Sequence, residues 1–171
     1  MSCCDILLIY NCLTMRNTLG YFLGFVIFIA GIPALMWWAS GQPQLADFPR
    51  WRLIAAAFVA VAGVAVSVWS IVHMRKVGKG NPFDAVGHEV APRTKHLMTD
   101  GPYRFSRNPM LTGTYIYYIG AVLAFFSWQS LVVFAAVVAL MTIQVLSEEK
   151  RLERDFGDEY LQYKKTTGRF I

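Results

Sequence analysis

Between residues 110 and 147 the chain runs for 38 positions without a charged side chain. As one straight helix such a run would extend about 57 Å at 1.5 Å per residue, roughly twice the thickness of a bilayer's hydrocarbon core. The run therefore has to fold back on itself. Ser127-Trp128-Gln129-Ser130 marks the turn and predicts a tight hairpin of two short spans, 110–126 and 131–146. Two further uncharged runs, 19–39 and 53–72, are each long enough to cross. Pro33 predicts a kink in the first, and Trp37 and Trp38 an aromatic belt at its end. In the second, Ala62, Gly63, Ala65 and Ser67 allow close helix approach. Only 16% of the residues are charged, against about 25% in a soluble domain. The expectation is an all-α integral membrane protein, one domain over residues 1–171. It has four transmembrane helices, the last two forming a tight C-terminal hairpin, followed by an amphipathic cytoplasmic helix.

The polar pieces divide unevenly around these spans. Residues 1–18 form a tail whose weakly apolar patch is interrupted by Asp5 and is too short to cross. Its three cysteines, Cys3, Cys4 and Cys12, have no His or carboxylate spaced to complete a metal site, so no metal is expected. Residues 73–109 are polar and rich in Pro and Gly, a loop length that often carries function. In the last piece, 148–171, Val145, Leu152, Phe156, Tyr160 and Tyr163 recur at helical spacing. They predict an amphipathic helix continuing from the fourth span and broken near Gly157. With four spans, the tail, the 73–109 segment and the C-terminal piece share one side, which holds fourteen of the basic residues against two on the other. By the positive-inside rule that side is cytoplasmic. The net charge of +5 is thus a topology signal, concentrated beside the apolar runs and not spread as a nucleic-acid stripe.

Few residues stand out for chemistry. Glu148 and Glu149 lie where the fourth span leaves the membrane. They serve either as a simple exit marker or as a carboxylate for a ligand's ammonium or hydroxyl groups, and being adjacent they point to different helix faces. His88 and His96 are candidate bases on a loop where solvated histidine is the commoner case, and His73 reads as interfacial. Tyr115, Tyr118, Val122 and Phe126 form a stripe on the third span, suited to helix packing or to lining a pocket for a lipid tail. The chain has no nucleophile elbow and no dinucleotide fingerprint.

The most informative polar stretch is Gly-Pro-Tyr-Arg-Phe-Ser-Arg-Asn-Pro-Met-Leu-Thr-Gly at 101–113. Pro109 restricts Asn108 to an extended or turn conformation and suits the first position of a helix. Tyr103, Arg104 and Arg107 are then held at the water–lipid boundary. Taken together, Leu-x-Thr-x-Gly-Pro-Tyr-Arg-x-x-Arg-Asn-Pro-Met, an uncharged hairpin and Glu-Glu-x-x-Leu-x-x-x-Phe-Gly-x-x-Tyr-x-x-Tyr resemble the isoprenylcysteine carboxyl methyltransferase and phospholipid methyltransferase superfamily of integral membrane enzymes. The resemblance covers residues 97–111 and 148–163.

That resemblance implies an S-adenosylmethionine-dependent methyltransferase with a cytoplasm-facing cofactor site and a lipophilic, membrane-embedded acceptor. By position, Lys95, His96, Leu97 and Met98 correspond to a cofactor-contacting strip and Tyr103 to a cofactor-contacting tyrosine. Asn108, Pro109, Met110 and Leu111 take the place of an Arg-His-Pro-x-Tyr cofactor element, and Glu148 matches a cofactor-binding glutamate. Arg107 and Asn108 are the candidates at the reacting centre, with Arg107 or Arg104 positioning the site. Asn108 departs from the histidine of the carboxyl methyltransferases, Leu111 from a tyrosine, and Gln144 from an arginine that faces the substrate. The last change removes a bidentate partner for a carboxylate acceptor. The alternatives are a non-catalytic lipid-binding or interaction protein on the same scaffold, and a reductase of the sterol type, which the short chain disfavours.

Overall fold

The computed structural model describes residue 24 and residues 26–78 and 96–171. The described chain is entirely helical where it is regular. A π-helical turn, Val26–Gly31, leads into α1 (Ile32–Ala39). Helix α2 (Arg50–His73) ends in a second π-helical turn, Met74–Gly78. A 3-10 turn, Gly101–Arg104, precedes α3 (Pro109–Phe125), and α4 runs from Trp128 to Thr166. Two helical stretches, Arg50–Gly78 and Trp128–Thr166, are long and apolar enough to cross a membrane, and two shorter apolar ones are Val26–Ala39 and Pro109–Phe125.

Pro33, where a kink was expected, sits in the first turn of α1, directly after the π-helical turn Val26–Gly31. Proline has no N–H to give to the carbonyl four residues back and crowds that carbonyl with its ring. Here that carbonyl belongs to Ile29, and it accepts instead from the Tyr117 hydroxyl at 2.7 Å, while Tyr118 donates to Phe28 at 2.9 Å. Two tyrosines of α3 thus bind carbonyls of the π-helical turn before α1. Tyr118 and Met36 are fully buried and form, with Val122, the core where α1, α3 and α4 meet. Of the tyrosine stripe, Tyr118 and Val122 lie in this core and Tyr115 packs edge-on against Phe134, whereas Phe126 is exposed at the turn. The stripe is helix packing.

Helices α2 and α3 approach closely enough for their backbones to touch. A Cβ on Gly63 would lie 2.3 Å from the Tyr117 nitrogen, and one on Gly113 2.6 Å from the Gly63 carbonyl oxygen. The seam runs through Ala56, Gly63 and Ser67, with Ser67 donating to the Met110 carbonyl at 2.9 Å. Gly63 and Ser67 therefore play the expected part. Ala62 and Ala65 face outward, on the side that also exposes Ile54, Phe58 and Val61, an apolar surface suited to lipid.

The hairpin turn is tighter than the expected spans imply. Phe126 takes a left-handed conformation (φ 37°), and Ser127 caps α4 at once. The Ser127 hydroxyl accepts from the Ser130 N–H at 3.0 Å, and the Ser130 hydroxyl lies 3.3 Å from the Ser127 N–H. This reciprocal cap places Trp128–Ser130 in the first turn of α4 rather than in a loop. Helix α4 then passes without interruption from its apolar half into its charged half, as expected. At Gly157 it breaks (φ 53°, ψ −128°). Lys164 and Glu153 pair at 2.5 Å, although eleven residues would span about 16 Å of straight helix, so the chain turns sharply there. The helix stops at Thr166, not at 171. Residues 167–171 leave it and return to the start of α3, because Thr167 adopts an extended conformation (φ −128°, ψ 131°).

Candidate functional site

The end of the bundle opposite the hairpin turn gathers the last turn of α2, the turn before α3, the charged half of α4 and the C-terminal strap. Glu149 is its electrostatic centre. Its carboxylate is 5% exposed and lies 3.0 Å from Arg107 Nη1, itself on a side chain only 8% exposed. Arg169 grips it bidentately, Nε to Oε1 at 3.1 Å and Nη2 to Oε2 at 2.9 Å. A buried carboxylate has to be paired in this way, and the planar guanidinium fork matches it. Two cations on one anion leave a surplus positive charge. Arg107 Nε and the Tyr160 hydroxyl are buried with no hydrogen-bond partner among the described residues. Burial, reinforced by the Glu149 charge and opposed by Arg107, pushes the Tyr160 phenol up to about 12.

The strap explains how Arg169 arrives there. The N–H groups of Arg107 and Asn108 donate to the carbonyls of Gly168 (2.9 Å) and Arg169 (3.2 Å). The Thr112 hydroxyl donates to the Phe170 carbonyl at 3.0 Å, and the Phe170 ring meets Tyr115 at 5.4 Å. N–H groups at a helix start need acceptors. Here strap carbonyls and the Ser106 hydroxyl, 3.1 Å from the Asn108 N–H, supply them beside α3, and the Asn108 side chain does not cap the helix. Tyr163 adds a further tie, donating to the Tyr103 carbonyl at 2.6 Å.

A second cluster flanks this one. Tyr103 is buried (6% exposed), and burial together with the charge of Glu148 raises its phenol well above the usual range. Glu148 itself is half-exposed, with Arg151 3.5 Å away. On the other side of Tyr103, the His73 ring lies 6.1 Å off at a tilt of 34°, and His73 Nε2 meets Asp100 Oδ1 at 2.9 Å. That hydrogen bond holds the Asp100 carboxyl below its usual range. Gly101 makes the arrangement possible. Its φ is +57°, and a Cβ there would come within 2.6 Å of the imidazole.

Of the residues singled out from sequence, Tyr103, Glu148, Asn108, Pro109, Met110 and Leu111 come together at this end of the bundle, with Pro109 and Met98 buried and Leu97 and Leu111 half-buried. His96 and Arg104 are exposed. Lys95 and His88 lie outside the described residues, as do the three cysteines. Arg107 is directed at Glu149. Sequence reasoning passed over Arg169, Asp100 and the role of His73. The repeat through Tyr160 and Tyr163 did mark the buried face of α4, but nothing local marked Arg169, whose position depends on the break at Gly157.

Neither curated proteins nor solved structures gave a match. The model of the phospholipid methyltransferase family matches residues 51–159. That span runs from the start of α2 past the break in α4, and includes the Gly-Pro-Tyr turn, the start of α3 and both glutamates. It covers well over half of the molecule, and the chain belongs to the phospholipid methyltransferase family.

Proposed function

We propose that this protein is an S-adenosylmethionine-dependent methyltransferase that methylates the amine headgroup of a phospholipid at the cytoplasmic membrane face, with four spans carrying the site. The observation that supports it best is that the buried Tyr103 and the half-exposed Glu148 lie at the same end of the bundle. These two motif residues stand some 45 positions apart in sequence, yet the Glu148 charge acts on the buried Tyr103 phenol. Their chemistry fits the cofactor. A carboxylate suits its ammonium and sulfonium charges, an aromatic face attracts a cation, and the buried Met98 and Pro102 beside the turn suit an adenine ring.

When bound, the cofactor supplies a methyl group already activated on a sulfonium. The protein then has to align the acceptor and exclude water. Tyr103, Asn108–Leu111 and Glu148 would hold the donor, with Leu97 and Met98 just before the Gly-Pro-Tyr turn. The Arg107–Glu149–Arg169 lock fixes the Asn108-Pro109 turn from behind, which makes Arg107 a positioning residue. An amine acceptor fits better than a prenylcysteine carboxylate. The half-exposed Glu148 and the exposed Asp100 attract an ammonium, and Gln144 stands in place of an arginine that would pair with a carboxylate. The test is transfer of label from methyl-labelled cofactor to vesicles containing phosphatidylethanolamine. Labelled lipid is expected from wild type and none from Glu148→Ala. Absence of labelled lipid from folded wild-type protein would remove the amine-lipid assignment.

One observation favours the non-catalytic alternative. The backbone of the Asn108 turn is occupied by strap carbonyls, and Arg107 by Glu149. On that reading the motif serves only to hold the helices together, and the protein binds no cofactor.

A further inference from the structure

We infer that the His73–Asp100 pair is the proton acceptor for the lipid amine. This rests on the methyltransferase reading above. A phospholipid amine is an ammonium at neutral pH and has no lone pair for attack, so a proton must leave before the N–C bond forms. A carboxylate acceptor would need no such group.

The geometry supplies one. His73 ends α2 at the boundary where the apolar run stops, with its side chain 16% exposed. An ionised Asp100 only accepts hydrogen bonds, so the imidazole nitrogen that faces it at 2.9 Å, Nε2, carries the proton. That tautomer leaves Nδ1 with its lone pair. A Cβ on Gly101 would lie 2.6 Å from Cε1 and 2.8 Å from Nδ1, so only glycine can pack against this ring. Among the described residues the titratable groups that meet the imidazole are Asp100 and Tyr103 of the following turn, with Arg75 and Lys76 following in sequence and Glu148 of α4 acting on Tyr103. Asp100 is 64% exposed and gives the proton an outlet to water.

The acceptor ammonium gives one proton to His73 Nδ1, and Asp100 steadies the imidazolium. The freed nitrogen lone pair forms the N–C bond as the methyl's C–S bond breaks, and sulfur keeps the C–S bonding pair. The methylated ammonium leaves, and one proton passes from His73 to solvent. A second methylation repeats the cycle.

His73→Gln separates this role from simple positioning. Glutamine still donates to Asp100 but has no basic nitrogen. General-base help contributes about 10²- to 10⁴-fold, so kcat on phosphatidylethanolamine vesicles is expected to fall about a hundredfold at pH 7. Log(kcat/KM) of the variant should climb with unit slope from pH 6 to 9, following the fraction of free amine, while wild type levels off. Affinity for S-adenosylhomocysteine should stay within about twofold. Asp100→Asn should fall between the two. Full activity in His73→Gln, or a parallel loss of cofactor affinity and rate at every pH, overturns the proposal. Failure of the wild type to bind S-adenosylhomocysteine instead overturns the methyltransferase reading on which it rests.

Discussion

The two ends of the helical bundle solve the same problem in different ways. At the hairpin end, polar groups are consumed in closing the structure. Arg52 Nε donates to the Leu123 carbonyl at 2.8 Å, its guanidinium lies 4.3 Å from the Phe48 ring centre, and Ser40 meets Ser127 at 2.5 Å. The orphan carbonyls that end α3 and the N–H groups that begin α4 find partners there. The opposite end holds more polar chemistry than closure needs: two guanidinium groups on one carboxylate, a buried phenol beside Arg107, and a His–Asp pair open to water. Surplus buried polar groups are costly. Among the described residues the buried polar atoms without partners lie at this end, which is where the proposed site sits.

Substitutions sharpen this contrast. The largest effect is expected from Glu149→Ala, which leaves two guanidinium groups facing a buried hole. Breaking a buried pair costs about 3–5 kcal/mol, read as a large drop in detergent-phase melting temperature. Glu148→Ala, one residue away, is expected to change stability by under about 0.5 kcal/mol, as surface substitutions usually do, while weakening cofactor binding. Gly113→Ala comes next. Its new methyl would meet backbone of α2 at 2.6 Å, and such overpacking costs about 1–3 kcal/mol. At the hairpin end, Ser127→Ala removes the α4 cap for about 1 kcal/mol and should leave cofactor affinity untouched. If Ser127→Ala and Glu148→Ala traded these outcomes, the division between a closing end and a working end would be wrong.

The helices were legible because a bilayer imposes length and charge rules that a sequence displays openly. The 38-residue uncharged run forced a hairpin, whereas the π-helical turn lies before Pro33 and had no signal of its own. The fine structure of the hairpin was less legible, because Ser127 and Ser130 resemble a loop until their reciprocal capping is recognised. At the candidate site, the resemblance to the methyltransferase superfamily drew attention to Tyr103 and Glu148. Arg169 was invisible because its role exists only once Gly157 turns the chain and the strap returns to α3. His73 looked interfacial because the sequence does not show that Asp100, 27 positions on, comes back to meet it. Contacts that depend on the return of a distant segment leave no local pattern.

The most direct test is calorimetric titration of S-adenosylhomocysteine into detergent-purified protein, wild type beside Glu148→Ala. The account predicts micromolar binding to the wild type and at least tenfold weaker binding to the variant, with both equally helical by circular dichroism. No binding to a folded wild type, or equal binding to both, would contradict it.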